Sequence, residues 1–444
     1  MKKLSIFVNP KVKPILKGSS RAYAIVLDEA PSSDVTVSFT SQNSFVTFGS
    51  SLTFTTGNYN VAQTITITAI DNSIVEGYKS ETIICTPSGG GYSTPLSFAI
   101  NICDAGIQYD ILRGKQWYGT HIRAVGDITT VRTLMQNFIF NGNGMPTNDT
   151  PDTLVSGYTG TCGKFNTSEL TGITRVDSLT FNFTDWTTGV WSHKVYHIIT
   201  SATPKNICVI VHGGHGTEAY HLECCQDLLD NGFDVAYCFM PVTQQNTTTT
   251  VGVTTGVQGH QDIGTFVETG SFNPWELYMY DKIMALNYLD ANYSYSTYYG
   301  TGCSGGGDMI KTIQAIDTRV SRIVSVRGYS CLSGVAWEVA QDVPTDYEVG
   351  RTPTAQQYVI DSNYYDHVYL STSGGRRHFA TYNAFDSCCL NGFSFNLYKD
   401  FLPPRVAAMT GGSFGLFLDT DLAYDDHGWN VPDRAKMLEK FLAA

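Results

Sequence analysis

At 444 residues the chain exceeds one ordinary domain and suits two, one of them large. A hydrophobic fraction of 42% and an aromatic fraction of 12% allow a sizeable core, while only 15% of residues are charged, so the surface is polar but weakly charged, as on proteins that work outside cells or on particles. The formal net charge of −12, with no basic run, argues against a nucleic-acid partner, and no apolar run reaches the roughly 18 residues of a membrane-spanning helix.

The opening Met1-Lys2-Lys3-Leu4-Ser5-Ile6-Phe7-Val8-Asn9-Pro10 has basic residues but too short an apolar stretch for a signal peptide. Residues 1–104 then read as all-β. Val35–Phe39, Leu52–Phe54 and Ile65–Thr68 alternate apolar and polar residues, with turn chemistry at Gly57-Asn58 and Asp71-Asn72. Short strands at this spacing predict a sandwich. The run Leu52–Asn60, the strand Gln63–Thr68, Asp71 with Glu76-Gly77, and the closing Ile100–Asp104 resemble the Calx-β family. That resemblance implies Ca²⁺ held by clustered carboxylates, here Asp71, Glu76 and Asp104. Acidic clusters are sparse for an ion that wants about six to eight oxygens, and solvated turn carboxylates need no ion. No other cofactor is expected.

Residues 105–444 follow a different rhythm. A helix is expected around Ile128–Phe140, then a Gly/Pro/Asn/Thr-rich connection and two strand-like runs, Val176–Phe183 and Lys194–Ile199. Strand Ile207–Val211, helix Tyr220–Asp230, strand Asp234–Phe239, helix Pro274–Leu289, strand Ser296–Gly300, a helix after Gly305 and strand Arg322–Val326 come next. Arg376–Tyr382 and Phe414–Leu418 read as further strands, and a final helix from about Pro432 carries Leu438, Phe441 and Leu442 on one face. Alternating strands and helices predict a mostly parallel sheet covered by helices. Two insertions, Thr243–Phe272 and Tyr329–Tyr369, are expected near the mouth of any site at the sheet edge. The second carries Trp337, Tyr347, Tyr358, Tyr364, Tyr365 and Tyr369, which either stack on sugar rings or pack over the sheet.

Eleven cysteines, with adjacent pairs Cys224-Cys225 and Cys388-Cys389 and no CxxC spacing, do not outline a disulfide framework. They read as small buried thiols in a chain folded in a reducing cytoplasm.

Gly302-Cys303-Ser304-Gly305-Gly306 fits G-x-S-x-G between a strand and a helix. A serine on so tight a turn is strained, flanking glycines let strand and helix approach, and the helix N-terminus adds positive charge beside the hydroxyl. Upstream, a strand ends in His212-Gly213-Gly214-His215-Gly216, where Gly214 is placed to give one oxyanion N–H and Gly305 the other. His212 and His215 have no third ligand at sensible spacing, so no metal is expected. A hydroxyl needs a base oriented by a carboxylate, in the chain order Ser, Asp/Glu, His. His427 lies in the loop after the last strand and Asp386 in the loop after the strand before it. Asp419, Asp421, Asp425 and Asp426 are the rival carboxylates.

Gly302–Gly307, Ala315-Ile316-Asp317-Thr318-Arg319-Val320, the His212-Gly213 loop and the stretch from Tyr365-Asp366 through Arg376 to Asp386 resemble the acetyl xylan esterase branch of the α/β-hydrolases. The resemblance implies a triad of Ser304, His427 and Asp386. The chain is also similar to glucuronoyl esterases in Gly302-Cys303-Ser304, but Gly305 stands where those place an arginine. The expected function is therefore hydrolysis of a carboxylic ester, with deacetylation of an acetylated polysaccharide foremost. A serine peptidase, a thioesterase, or a binding protein on a hydrolase scaffold are the alternatives. A surface-like composition without an export signal fits a phage or particle protein that folds in the host cytoplasm and attaches to a virion or surface assembly through residues 1–104.

Overall fold

The structure, a computed structural model, describes residues 4–7, 15–72, 78–103, 121–184, 190–214, 219–241, 243–248, 274–328, 364–383, 395, 398–424 and 426–443. It forms two compact units, Met1–Gly114 and Lys115–Ala444. The boundary expected after residue 104 falls in 104–120, outside the described residues.

Among the described residues, nine strands make the N-terminal unit: β1 (Leu4–Phe7), β2 (Ile15–Leu16), β3 (Ser20–Leu27), β4 (Val35–Ser41), β5 (Val46–Phe48), β6 (Leu52–Phe54), β7 (Gln63–Ala69), β8 (Tyr78–Ser88) and β9 (Leu96–Cys103). They form two sheets, ordered β1-β3-β7-β5 and β2-β9-β8-β4-β6, antiparallel except where β2 meets β9. The period-2 pattern has the consequence the sequence implies. Ile25 and Leu27, Ile65 and Ile67 from one sheet face Val35 and Val37, Ile83 and Cys85 from the other in a single core. Each such aliphatic side chain contributes about 1.5–3 kcal/mol on burial. Buried Glu81 keeps its charge satisfied by accepting the N–H groups of Asn43 and Phe45, both at 2.9 Å. Of the three carboxylates proposed for Ca²⁺, Asp71 alone is described, beside Asn72, whose Oδ1 accepts from the Lys17 ammonium at 3.1 Å.

The larger unit contains β10 (Thr153–Ser156), β11 (Thr161–Cys162), β12 (Phe165–Asn166), β13 (Ile173–Thr184), β14 (Val190–Thr200), β15 (Ile207–His212), β16 (Asp234–Cys238), β17 (Thr247–Thr248), β18 (Thr297–Cys303), β19 (Val320–Val326), β20 (Arg377–Asn383) and β21 (Ser413–Asp419). Its helices are α1 (Asp127–Ile139), α2 (His221–Asp230), α3 (Pro274–Asn292), α4 (Gly305–Ile316), α5 (Tyr364–Thr372), α6 (Leu402–Thr410) and α7 (Val431–Leu442). The main sheet runs β10-β13-β14-β16-β15-β18-β19-β20-β21, with β17 paired to β14. The six strands from β16 to β21 are mutually parallel, and β14 lies antiparallel to both its neighbours β13 and β16.

Central strands read as unbroken apolar runs because both faces are covered. Cys224, Leu228 and Leu229 of α2 and Met437 and Phe441 of α7 pack on Val209, Val211, Val235, Tyr299 and Val324. α4, with every residue buried, packs on β15, β18 and β19 and is covered in turn by α1, α3 and α5.

One reading is corrected here. The buried stripe of α7 is Asp433, Met437 and Phe441, at i, i+4, i+8, whereas Leu442 is 47% exposed. Of the two alternatives for Tyr369, packing holds: it sits fully buried on α5, which packs against α4. α6 was not anticipated from the sequence. Trp337, Tyr347, Tyr358 and residues 249–272 lie outside the described residues, and Cys85, Cys162, Cys208, Cys224, Cys225, Cys238 and Cys303 are buried thiols, as expected.

Four histidines buried in this unit have their pKa lowered by that burial. His378 is brought to about 3 and His197 to about 4, while His193 and His367 are also lowered. The native state thus holds them neutral, whereas the unfolded chain protonates them below about 6.5. Their contribution is complete above that value and is lost as pH falls toward the folded values, at about 1.4 kcal/mol per residue per pH unit. The thermal transition of this unit should therefore drop steadily between about pH 6.5 and about pH 5, a window above the ordinary carboxylate range. A calorimetric midpoint that stays level across that window would contradict it.

Candidate active site

Strand order alone indicates where a site can form. After β15 the chain turns to one side to make β16, then crosses back to make β18 on the other, so the loops leaving β15 and β18 diverge. A crevice at the carboxyl ends of parallel strands, where the order reverses, is the usual binding place in open α/β sheets. The register puts His212 opposite Gly302, so the His212-Gly213-Gly214 loop and the Ser304 turn leave the sheet side by side.

Ser304 takes φ 58°, ψ −132°, a conformation that L-residues seldom adopt and that costs on the order of 1–3 kcal/mol. It is held there from both sides. Its N–H donates to Val326 O of the adjacent strand at 2.9 Å, and its carbonyl accepts from Gly307 N at 2.8 Å as α4 begins. The glycines follow from contact distances. A Cβ on Gly302 would collide with Gly306 O, and one on Gly306 would collide with His212 O, so strand end and helix start touch backbone to backbone. One on Gly307 would meet Gly328 Cα and Ser325 Oγ, each at 2.8 Å. Ser304 is only 4% exposed. Gly305, first residue of α4, has an N–H that the helix itself leaves without an acceptor.

Gly214 is buried at the end of the described part of its loop, and His215 lies beyond it. His212 is fully buried with Nδ1 2.7 Å from Gly213 O, in keeping with a packing role. Among the described residues no group of three or more His, Cys, Asp or Glu could hold a metal.

His427 lies in the segment after β21, and this irregular segment is tied down by side chains from every neighbouring strand. Arg327, one residue past β19, donates to Asp426 O and, at 3.2 Å, to Tyr424 O. Asn383 at the end of β20 donates to Tyr424 O at 2.8 Å and to Asp419 Oδ2 at 3.0 Å. Asn430 donates to Tyr424 O and Asp426 O at 2.7 and 2.8 Å. Trp429 donates from its indole to Thr301 Oγ1 of β18 at 3.3 Å. Ala219, shortly before α2, joins in through a one-residue bridge: its N–H donates to His427 O at 3.1 Å, and Trp429 N donates to Ala219 O at 3.2 Å. Gly428 admits that bridge, because a Cβ there would meet the Ala219 backbone at 2.6 Å.

Of the expected site residues, the structure therefore brings Ser304, Gly305, Gly214 and the His427 segment to one edge of the sheet, while Asp386 lies outside the described residues. Its rivals are partly committed. Asp419 accepts from Asn383 and from Asp421 N, Asp421 from Ala423 N, and Asp426 from the Tyr220 hydroxyl at 3.2 Å. Asp425 is outside the described residues. Sequence reading missed Arg327, Asn383 and Asn430 altogether. The one local sign was an arginine directly after an apolar strand, where a buried charge needs a reason.

No protein-family model and no curated protein matches the chain. Solved structures do. An acetyl xylan esterase from Thermoanaerobacterium sp. JW/SL YS485 is 12% identical, covering 75% of this chain and 97% of its own, with a TM-score of 0.47. One from Paenibacillus sp. R4 is 14% identical over 74% and 97%, also at 0.47. An acylaminoacyl peptidase from Pyrococcus horikoshii is 13% identical over 62% and 42%, at 0.38. At identities and scores this low, it is the strand order and the turn at Ser304 that characterise this unit.

The glycine contacts give a direct test. Gly306→Ala should destabilise the unit by about 1–3 kcal/mol through overpacking and abolish labelling of Ser304 by a fluorophosphonate. Gly126→Ala, where an added Cβ meets nothing within 4 Å, should leave both unchanged. Equal labelling of the two variants would show that the turn tolerates a side chain and that the steric account is wrong.

Proposed function

We propose that the larger unit is a serine-dependent carboxylic ester hydrolase on an α/β-hydrolase scaffold. The observation that carries the reading is the strained Ser304 at a strand-to-helix turn on the topological switch point, with an unclaimed helix N-terminal N–H beside it. In this reading Ser304 Oγ attacks the acyl carbonyl while His427 takes its proton, later returning it to the leaving alcohol. Asp386 holds the imidazole tautomer, and the N–H groups of Gly305 and Gly214 stabilise the tetrahedral oxyanion. Water then repeats the cycle on the acyl-enzyme. No metal or cofactor enters this scheme.

The resemblance of Gly302–Gly307 and Ala315–Val320 to acetyl xylan esterases supports an ester over an amide and an acetylated glycan as substrate. The N-terminal sandwich has its own core and contributes none of the proposed site residues. We assign it, as a Calx-β-like module, to attachment on a virion or surface assembly, with Ca²⁺ at Asp71, Glu76 and Asp104 as an optional ligand.

Ser304→Ala and His427→Ala should each lower turnover of a small acetyl ester by roughly 10⁴-fold, and the double variant should lose little more, because the two act as one unit. Asp386→Asn should be nearly as severe. If Asp386→Asn stays near normal while Asp425→Asn abolishes turnover, the acid moves to Asp425 and the nucleophile and base stand.

Leaving-group preference is read on a single preparation, by comparing an acetyl ester with its matched anilide and then measuring acetate released from acetylated polysaccharides. The ester should be strongly preferred and acetate should appear. Equal or faster anilide turnover would make the enzyme a peptidase.

A further inference from the structure

We infer that Arg327 is a positioning residue for His427, holding the segment that carries the base at the correct height above Ser304. The inference rests on the esterase reading and deepens it, since nothing in a triad requires an arginine at this place.

Arg327 is fully buried and lies at φ 51°, a left-handed conformation unfavourable for a side chain of this size. Its backbone stays in the sheet, with N–H donating to Thr381 O at 2.8 Å. The positive φ turns the chain off β19 immediately after Val326, the residue whose carbonyl holds the Ser304 N–H. One residue thus connects the strand that fixes the nucleophile to the segment that carries the base.

Its fork divides between two tasks. Nη1 takes Asp426 O, the carbonyl directly before His427. Nη2 takes Tyr424 O at 3.2 Å and Asp433 Oδ2 at 3.1 Å on α7. The carboxylate partner is fully buried with it, so the charge is neutralised in place. Burial raises the Asp433 pKa, and Arg327 offsets only part of that rise.

A lysine cannot reproduce this arrangement, because its single ammonium lacks the planar fork that spans two carbonyls and a carboxylate. An apolar residue leaves Tyr424 O to Asn383 and Asn430, and leaves Asp426 O with Asn430 among the described donors. The segment would then lose its link to β19 while keeping those to β18, β20 and Ala219.

Stability and positioning are separable, because the ion pair can be removed as a pair. Replacing both partners of a buried pair by apolar residues is often neutral, whereas removing one is not. In the full chain, Arg327→Met alone should lower the thermal midpoint, and Arg327→Met with Asp433→Leu should recover most of it. Both should keep KM for an acetyl ester within about threefold and reduce kcat by about 100-fold, the usual size of a misplacement effect. Asn430→Ala, which removes a neutral donor to the same carbonyls, should fold and lower kcat in the same direction by less. Hydrogen exchange should quicken in 419–430 of the double variant and stay unchanged in 297–316. A double variant that recovers stability with wild-type kcat, or that shows no quickening in 419–430, would overturn the inference. Wild-type protein without Ser304-dependent ester turnover would instead sink the esterase reading, which the exchange experiment alone does not address.

Discussion

The site depends on one steric constraint, the backbone-to-backbone contact between the end of β18, the end of β15 and the first turn of α4. Gly302 lies against Gly306, and Gly306 against His212 O. A helix brought this close to the strand that feeds it leaves no room for an ordinary turn, so the intervening residue is forced to φ 58°. The same closeness aims the N-terminus of α4 at the space in front of Ser304, where its unclaimed N–H groups and positive dipole end favour a developing negative charge. The strain at Ser304, its place at the sheet edge and the helix N-terminus beside it are thus three results of one packing decision. The contacts of Gly307 with Ser325 and Gly328 extend that decision to β19.

Much of this was legible because its physics is local. Buried parallel strands such as Ile207–His212 appear as continuous apolar runs, and a Gly-flanked serine between such a run and a helix has few other uses. The sandwich was legible through alternation at Ile65-Thr66-Ile67, whose partners in Val35–Val37 repeat the pattern. What was hidden depends on contacts distant in sequence. Arg327 meets Asp426 across 99 positions, and the one local sign, an arginine directly after an apolar strand, does not name its partner. The α7 face was misread for the same reason. Asp433 counts as polar in any local pattern, yet it is buried because Arg327 waits for it. For Tyr369 the sequence left rim and packing open, and its helix packs on α4, whose own full burial leaves no wet face beside it.

Arginine is used in the same physical way at both edges of the sheet. At the carboxyl edge Arg327 gathers the carbonyls of the His427 segment. At the opposite edge Arg376, just before β20, donates to Gln314 O and Asp317 O at the end of α4, to Leu370 O in the last turn of α5 and to Ser373 O just after it. Arg132 from α1 reinforces it through Ala315 O, Leu370 O and Ser373 Oγ. Burial, with the nearby Arg132, lowers the Arg376 pKa to about 9, still cationic at neutral pH. Helix ends expose carbonyls that need donors, and a five-donor fork can serve several at once without asking the chain to form regular structure there.

This explains how irregular segments at the carboxyl edge of the sheet keep fixed positions. A carbonyl in a loop is satisfied by water as readily as by protein when exposed, so an exposed loop drifts among many arrangements. Once Tyr424 O and Asp426 O are taken by Arg327, Asn383 and Asn430, every alternative conformation must leave buried donors unpaired, at about 1–3 kcal/mol each. The segment is then ordered by the cost of its alternatives, more than by the strength of any single bond it makes. Ala219 adds a further tie. Because it bridges to His427 and Gly428, displacement of the His427 segment pulls on Ala219, and the two hold or fail together.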